Sequence, residues 1–309
     1  MREKAGRGHD VCGFSLARER REFFNSLLTM KFDRRTLGTL LVDRVLRIKD
    51  DLQRQFLQSG TVKTFVIDDT LPDAVARQIS DRFPGEREMA RRASWREKKY
   101  VSSQMNLHDP LLEEVVYAFQ DAGFIKLLGE ITGLKGLEPD PELYASGLSL
   151  MAEGDFLNPH LDNSHDRNRE RYRVLNVLYY VSPDWGPEHG GSLELWDEGP
   201  RGKPRMIPSR FNRTVCMITH PGSWHSVNAV NVNRGRCCIS NYYFSPEPAL
   251  ATPYFHVTSF RGRPEQPVLD LALRMDSAAR SAIRFVFPRG LFPVWHFYKR
   301  ESKTDIDRR

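Results

Sequence analysis

Ser223-Trp-His-Ser-Val-Asn-Ala-Val-Asn-Val-Asn-Arg-Gly-Arg-Cys-Cys-Ile-Ser-Asn-Tyr-Tyr-Phe244 reads as two short strands separated by a turn. The Asn-rich stretch ending in Arg234-Gly235 is the turn. From Arg236 onward the residues alternate, so Arg236, Cys238, Ser240 and Tyr242 share one face of a strand. Moving outward, the same texture recurs. Strands are expected near 145–151, 157–162, 172–182, 191–196, 204–208, 213–219, 224–230 and 235–244, with Pro, Gly, Asn and Asp crowding the gaps, as in Pro183-Asp-Trp-Gly-Pro187 and Gly190-Gly191. Eight short strands at this spacing suggest a jelly roll or double-stranded β-helix.

Helices precede this region. Leucines, phenylalanines and valines at three-to-four spacing predict helix over 15–58, with Asp33 capping its second segment. A strand over 61–67, a helix from 68 to about 83 and a long helix over 110–132 follow. The charged stretch 86–104 is expected to be irregular surface. A last helix is predicted over 266–286, beside an aromatic and basic tail (Phe285-Val-Phe and Trp295-His-Phe-Tyr-Lys299). The fold class is therefore α+β: a double-stranded β-helix (jelly-roll/cupin-like) core flanked by N-terminal helices.

Composition bounds the rest. The 309 residues are 40% hydrophobic and 28% charged, enough to build a core and too apolar for global disorder. The net charge of +6 invites a nucleic-acid or membrane reading, but its distribution argues against a basic groove. Residues 1–60 carry 13 Lys and Arg against 8 Asp and Glu, and residues 280–309 carry 8 against 3, which leaves 25 against 29 in between. Cys12, Cys216, Cys237 and Cys238 show no CxxC spacing, so a disulfide framework is not expected and a reducing compartment fits. Neither a secretory leader nor an apolar run long enough to span a bilayer is visible. The expected location is cytoplasmic.

The chemistry starts at His160-Leu161-Asp162, whose first and third side chains would share a strand face. A lone His-x-Asp carries little weight. Sixty-five residues later His225 supplies a second imidazole, and two histidines with one carboxylate are the facial set that suits non-haem Fe(II). Arg236 adds a planar fork able to hold a remote carboxylate while staying charged. Other histidines read differently: His220 and His189 sit in turns, and His165 with Asp166 lies in a polar loop that is either solvated or in contact with substrate.

The conjunction resembles the Fe(II)- and 2-oxoglutarate-dependent dioxygenases, in the prolyl-hydroxylase-like branch. It is carried by His160-Leu-Asp162-Asn, Arg173-Val-Leu-Asn-Val-Leu-Tyr-Tyr-Val181, Gly190-Gly-Ser-Leu-Glu-Leu-Trp196, Trp224-His-Ser-Val and Arg236-Cys-Cys-Ile-Ser-Asn-Tyr-Tyr-Phe244. Upstream, Phe65-Val-Ile-Asp-Asp-Thr-Leu-Pro72 and Leu128-Gly-Glu-Ile-Thr-Gly-Leu134 match as well. The resemblance implies His160, Asp162 and His225 as iron ligands, and Arg236, Tyr180 and Ser240 as cosubstrate contacts. Two departures stand out. Arg236 follows His225 by eleven residues, slightly more than the family pattern, which makes Arg234 a rival; and Leu150 stands where some relatives carry a cosubstrate tyrosine.

What the resemblance implies is hydroxylation of an unactivated C–H with Fe(II), 2-oxoglutarate, O2 and, as reductant, ascorbate. The substrate is a proline-containing peptide or protein or, alternatively, a small metabolite such as a free amino acid or a lipid or glycan precursor. A metal-binding, cupin-like sensor without turnover is the non-enzymatic alternative. The expected organisation is a basic helical N-terminal extension (1–60), a dioxygenase domain (61–248, β-helix core about 144–246) and a Pro-rich, aromatic and basic C-terminal extension (249–309). Nucleic acid is not an expected partner; the C-terminal tail either contacts a membrane peripherally or packs on its own domain.

Overall fold

The structure, a computed structural model, describes residues 32–286 and 297–300. The helical reading over 15–31 and the tail over 287–296 lie outside the described residues. Strand β1 (Thr64–Ile67) is followed by β2 (Ala90–Ala93), β3 (Lys98–Ser102), β4 (Gly147–Met151), β5 (Leu157–Leu161) and β6 (Tyr172–Tyr180). Then come β7 (Leu193–Leu195), β8 (Arg205–Ile207), β9 (Arg213–Ile218), β10 (His225–Val227), β11 (Arg236–Ser245) and β12 (Ser259–Phe260). They form two antiparallel sheets, in the orders β1-β9-β6-β11-β4-β3-β2 and β12-β5-β10-β7-β8. Consecutive strands from β4 to β11 are dealt between the two sheets so that β4-β11-β6-β9 faces β5-β10-β7-β8. That interleaving is the double-stranded β-helix expected from the turn spacing.

Each strand of the larger sheet has two faces with different tasks. On β6, Val177 and Tyr179 join a core shared with the helices, whereas Asn176, Leu178 and Tyr180 point into the barrel. The helical layer comprises α1 (Arg34–Gln58), α2 (Asp73–Asp81), α3 (Pro110–Ala118) and α4 (Ala122–Thr132). Asp33 caps α1 by accepting from Thr36 N at 2.8 Å. Leu37, Leu41, Val45 and Leu52 are buried against the same core as Phe65 and Phe124, so burying one apolar stripe is what fixes α1 on the sheet.

Two expectations are corrected. The single helix over 110–132 is two, because Asp121 turns its carboxylate onto Gly123 N (2.8 Å) and Phe124 N (3.2 Å) and starts α4 afresh. Both helices face one core, so the apolar periodicity runs across the break unbroken. The stretch 86–104 is not irregular: β2 and β3 form a hairpin that extends the larger sheet. Its polar sequence hid it, because an edge hairpin with one solvated face needs little apolar surface. The last helix, α5 (Pro267–Val286), matches its prediction. Among the described residues no helix is long and apolar enough to cross a membrane.

Candidate active site

Register places the two histidines. In the pairing of β10 with β5, His225 lies directly opposite His160, and a bulge follows, since Val227 pairs with Leu157. The imidazole centroids are 4.1 Å apart. Asp162 follows the end of β5 on the same side as His160, 3.7 Å from the Nε2 atoms of both His160 and His225. The three donor atoms lie within 4.8 Å of one another.

Hydrogen bonds orient these groups. Nδ1 of His160 donates to the Asn158 carbonyl (3.0 Å), and Nδ1 of His225 donates to the Ser223 carbonyl (2.9 Å). A carbonyl can only accept, so each ring carries its proton on Nδ1 and offers the Nε2 lone pair. Burial, with His225 adding, pushes His160 down to about 3, which keeps it neutral. Burial alone would raise Asp162, yet His225, Arg173, His160 and a 2.7 Å hydrogen bond from Asn176 Nδ2 hold its carboxyl well below the usual range. Two imidazoles that offer Nε2 and a carboxylate, each braced from behind, fit a divalent metal.

Behind the triad the barrel interior forms a second cavity, lined in part by Arg236, Cys238, Ser240 and Tyr242. Arg236 is buried; its Nε donates to the Gly191 carbonyl (3.1 Å) and to Ser209 Oγ (3.3 Å), and its Nη1 meets the Met151 thioether at 3.7 Å. No carboxylate of the described residues lies within salt-bridge distance of it. Tyr180 packs against the guanidinium at 4.6 Å, with its hydroxyl buried and unpartnered. Burial pushes the Tyr180 hydroxyl up to about 12, partly offset by Arg236, so it remains a neutral donor. A buried cation without an anion, beside an orphaned hydroxyl, fits a carboxylate supplied from outside.

Gly191 explains its own place in the Gly-Gly pair. Its φ is +66°, and a Cβ there would stand 3.1 Å from Arg236 Cγ. Ser240 lines the same cavity but donates to the Gly147 carbonyl at 3.2 Å. Arg234 is exposed on the outside, donating to the carbonyls of Pro183 and Asp184. Leu150 packs into the core shared with the helices. His220 and His189 accept turn N–H groups from Gly222 and Gly186 (3.0 Å each), and His165 packs between Tyr172 and Phe255.

Sequence reading missed four contributors. Arg173 and Asn176 stood inside the quoted β6 motif, and two polar residues within an apolar strand were the available signal. Arg173 is almost fully buried; its Cζ lies 4.0 Å from the Tyr242 ring centroid and its Nη1 is 3.9 Å from Asp162. Ser209 carried no signal, since only the fold brings its loop to Arg236. Phe260 of β12, stacked on His160 at 5.2 Å, was equally invisible.

The region around the site is similar in sequence to known proteins. Residues 146–244 match the model of the 2OG-Fe(II) oxygenase superfamily. Among curated proteins, prolyl 3-hydroxylase OGFOD1 of Mus musculus is 32% identical over 97 residues, 29% of this chain and 17% of that protein. The chain thus matches about a sixth of the length of that relative. Among solved structures, a Pseudomonas putida prolyl-4-hydroxylase shows 17% identity and a TM-score of 0.43, covering 64% of this chain and 99% of that one. A Trichoplax adhaerens prolyl hydroxylase, in complex with a hypoxia inducible factor oxygen degradation domain peptide fragment, shows 17% identity and a TM-score of 0.46, covering 73% and 99%.

Proposed function

We propose that the chain is an Fe(II)- and 2-oxoglutarate-dependent dioxygenase that hydroxylates an unactivated C–H, in a prolyl residue of a peptide or protein. One observation carries this reading: three convergent candidate metal donors stand next to a buried cavity lined by Arg236, which has no carboxylate partner among the described residues. His160, Asp162 and His225 would hold Fe(II), which when bound supplies the oxygen chemistry that amino-acid side chains lack.

The remaining roles belong to the chain's own groups. Arg236 and the Tyr180 hydroxyl would bind the distal carboxylate of 2-oxoglutarate, with Ser240 on the same wall. Gly191 and Ser209 hold the Arg236 fork in place by occupying its Nε. Asn176 fixes the rotamer of Asp162, and the two backbone carbonyls fix the imidazoles. Phe260 stacks on His160 and shields it from water. These contacts preorganise the donors, so binding metal costs little reorganisation. The reading places the dioxygenase unit at 61–248 between the N- and C-terminal extensions, and a cytoplasmic location is supported by free thiols at Cys216, Cys237 and Cys238.

The test is succinate release from 2-oxoglutarate by the Fe(II)-loaded protein in air. Proline-containing peptides are compared with free amino acids and metabolite pools. Stimulation by peptides that gain one oxygen atom by mass supports the proposal, and stimulation by small metabolites alone overturns its peptide part.

A further inference from the structure

The mouth of the site carries more positive charge than the triad accounts for. A cavity of about 300 Å³ opens over the triad, and Arg92, Arg96, Lys99, Arg173 and Arg280 all line it. Negative charge is scarcer. Glu97 pairs with Lys99 at 2.9 Å, and Asp162 belongs to the triad. Asp276 lies between two guanidiniums, bridging Arg96 and, at 2.8 Å, Arg280. Five cations therefore face three carboxylates, before any metal is counted.

Several of these cations are held rather than solvated. Arg173 is 2% exposed and its Nε and Nη2 lack hydrogen-bond partners, as does the buried Nε of Arg96. Burial, helped by nearby Arg96, brings Arg280 down from the usual guanidinium range despite Asp276. Arg92 makes no ion pair and no side-chain hydrogen bond among the described residues. The framework is tied down as well. The β2–β3 hairpin is bonded to the metal-bearing strand, with Asn158 N donating to the Arg96 carbonyl (3.0 Å) and Asn158 Nδ2 to the Trp95 carbonyl (2.9 Å). On the opposite side, Arg280 Nη1 donates to the Thr258 carbonyl at 2.6 Å. A concave array of cations, held in place except for Arg92 at the rim, focuses positive potential, and the buried members are costly to leave without a counter-charge.

We infer that the substrate supplies the counter-charge: it is an acidic peptide whose Asp or Glu side chain, beside the residue that is hydroxylated, sits among Arg92, Arg96 and Arg280. This rests on the peptide-hydroxylase reading above and names the class of peptide. The cations grade from Arg173, fully enclosed beside Asp162, to Arg92, exposed at the rim. An extended ligand follows such a gradient, whereas a small anion would need the charges gathered at one point. Arg92, Arg96 and Arg280 also lie outside the superfamily match, on the hairpin before it and on α5 after it, whereas Arg173 lies within it. Selectivity is thus built from the parts that the shared core does not contain.

The experiment uses dye-labelled, proline-centred peptides whose flanking residues are all Glu, all Gln or all Lys. Binding is read by fluorescence anisotropy to the Fe(II)- and 2-oxoglutarate-loaded protein under nitrogen. The Glu peptide is expected to bind on the order of tenfold tighter than the Gln peptide, with the gap closing as salt rises. Arg92 is exposed, so Arg92→Glu leaves the core intact and is expected to remove most of the preference for the Glu peptide over the Gln peptide. Equal binding of the Glu and Gln peptides overturns the inference, and so does displacement of the Glu peptide by inorganic phosphate or free glutamate at equal concentration. Admitting air then separates the two claims. Glu-selective binding with no oxygen added to the peptide sinks the hydroxylation reading and keeps the acidic-peptide inference; oxygen added without Glu preference does the reverse.

Discussion

The floor and the mouth of one cavity system handle positive charge in opposite ways. At the floor a single arginine, Arg236, is buried alone, with its Nε occupied by Gly191 and Ser209 and its ring neighbour Tyr180 offering a free hydroxyl. At the mouth five cations from β2, the β2–β3 turn, β3, β6 and α5 crowd around three carboxylates. The floor is built for one carboxylate of fixed geometry. The mouth is built for negative charge spread along a longer ligand. On the proposed reading, affinity for the cosubstrate and choice of substrate are separable, because they would depend on different arginines.

That separation can be broken most severely between the two, at the triad. His160→Ala is expected to abolish tight Fe(II) binding and reduce succinate formation to background, as read by anaerobic metal titration and product assay. Normal turnover in this variant would remove the triad from the reaction. The floor comes next. Arg236→Gln is expected to raise the KM for 2-oxoglutarate on the order of 100-fold while the relative binding of Glu and Gln peptides stays the same. Arg234→Gln should leave that KM near its starting value, since Arg234 faces outward; the opposite pattern would exchange the two roles.

Beneath the mouth, Asp140 sharpens the comparison through pH. Burial raises its carboxyl from 3.8 to about 6, even though Tyr144 N donates to it and Arg173 lies near. At this position the folded state holds a proton that the unfolded chain has released, so the contribution of Asp140 to stability falls as pH rises between about 4 and 6. Asp140→Asn is expected to flatten that slope and to stabilise the protein near neutral pH by about 2 kcal/mol, measured as Tm against pH. An unchanged slope would mean that Arg173 compensates the charge in full. The smallest effect belongs to Ser209→Ala, which removes one of two acceptors on Arg236 Nε. A severalfold rise in the KM for 2-oxoglutarate, worth about 1 kcal/mol, is expected with metal affinity unchanged.

Much of the floor was legible in the chain. Strand alternation put Arg236, Cys238, Ser240 and Tyr242 on one face, and that face does line the cavity. His160 and Asp162, two residues apart, likewise share a side, and the preference for Arg236 over Arg234 followed from the turn at Gly235. The mouth was not legible. Arg92, Arg96 and Lys99 stood in a stretch that reads as solvated surface, and Arg280 lies more than a hundred residues beyond the triad's Asp162. The hairpin that carries the first three was itself missed, because its strands lack an apolar face.

Sequence alone determined the strand faces and the turns, because period-two alternation and turn chemistry are local properties of consecutive residues, and it named His160, Asp162 and His225 as candidate donors. The same sequence, counted by segment, placed the positive excess at the two ends and left the centre slightly acidic. Tertiary structure alone decided that a hairpin from one side and a helix from the other would gather cations over the triad. Electrostatic potential depends on distance through space and on burial, and a count along the chain contains neither.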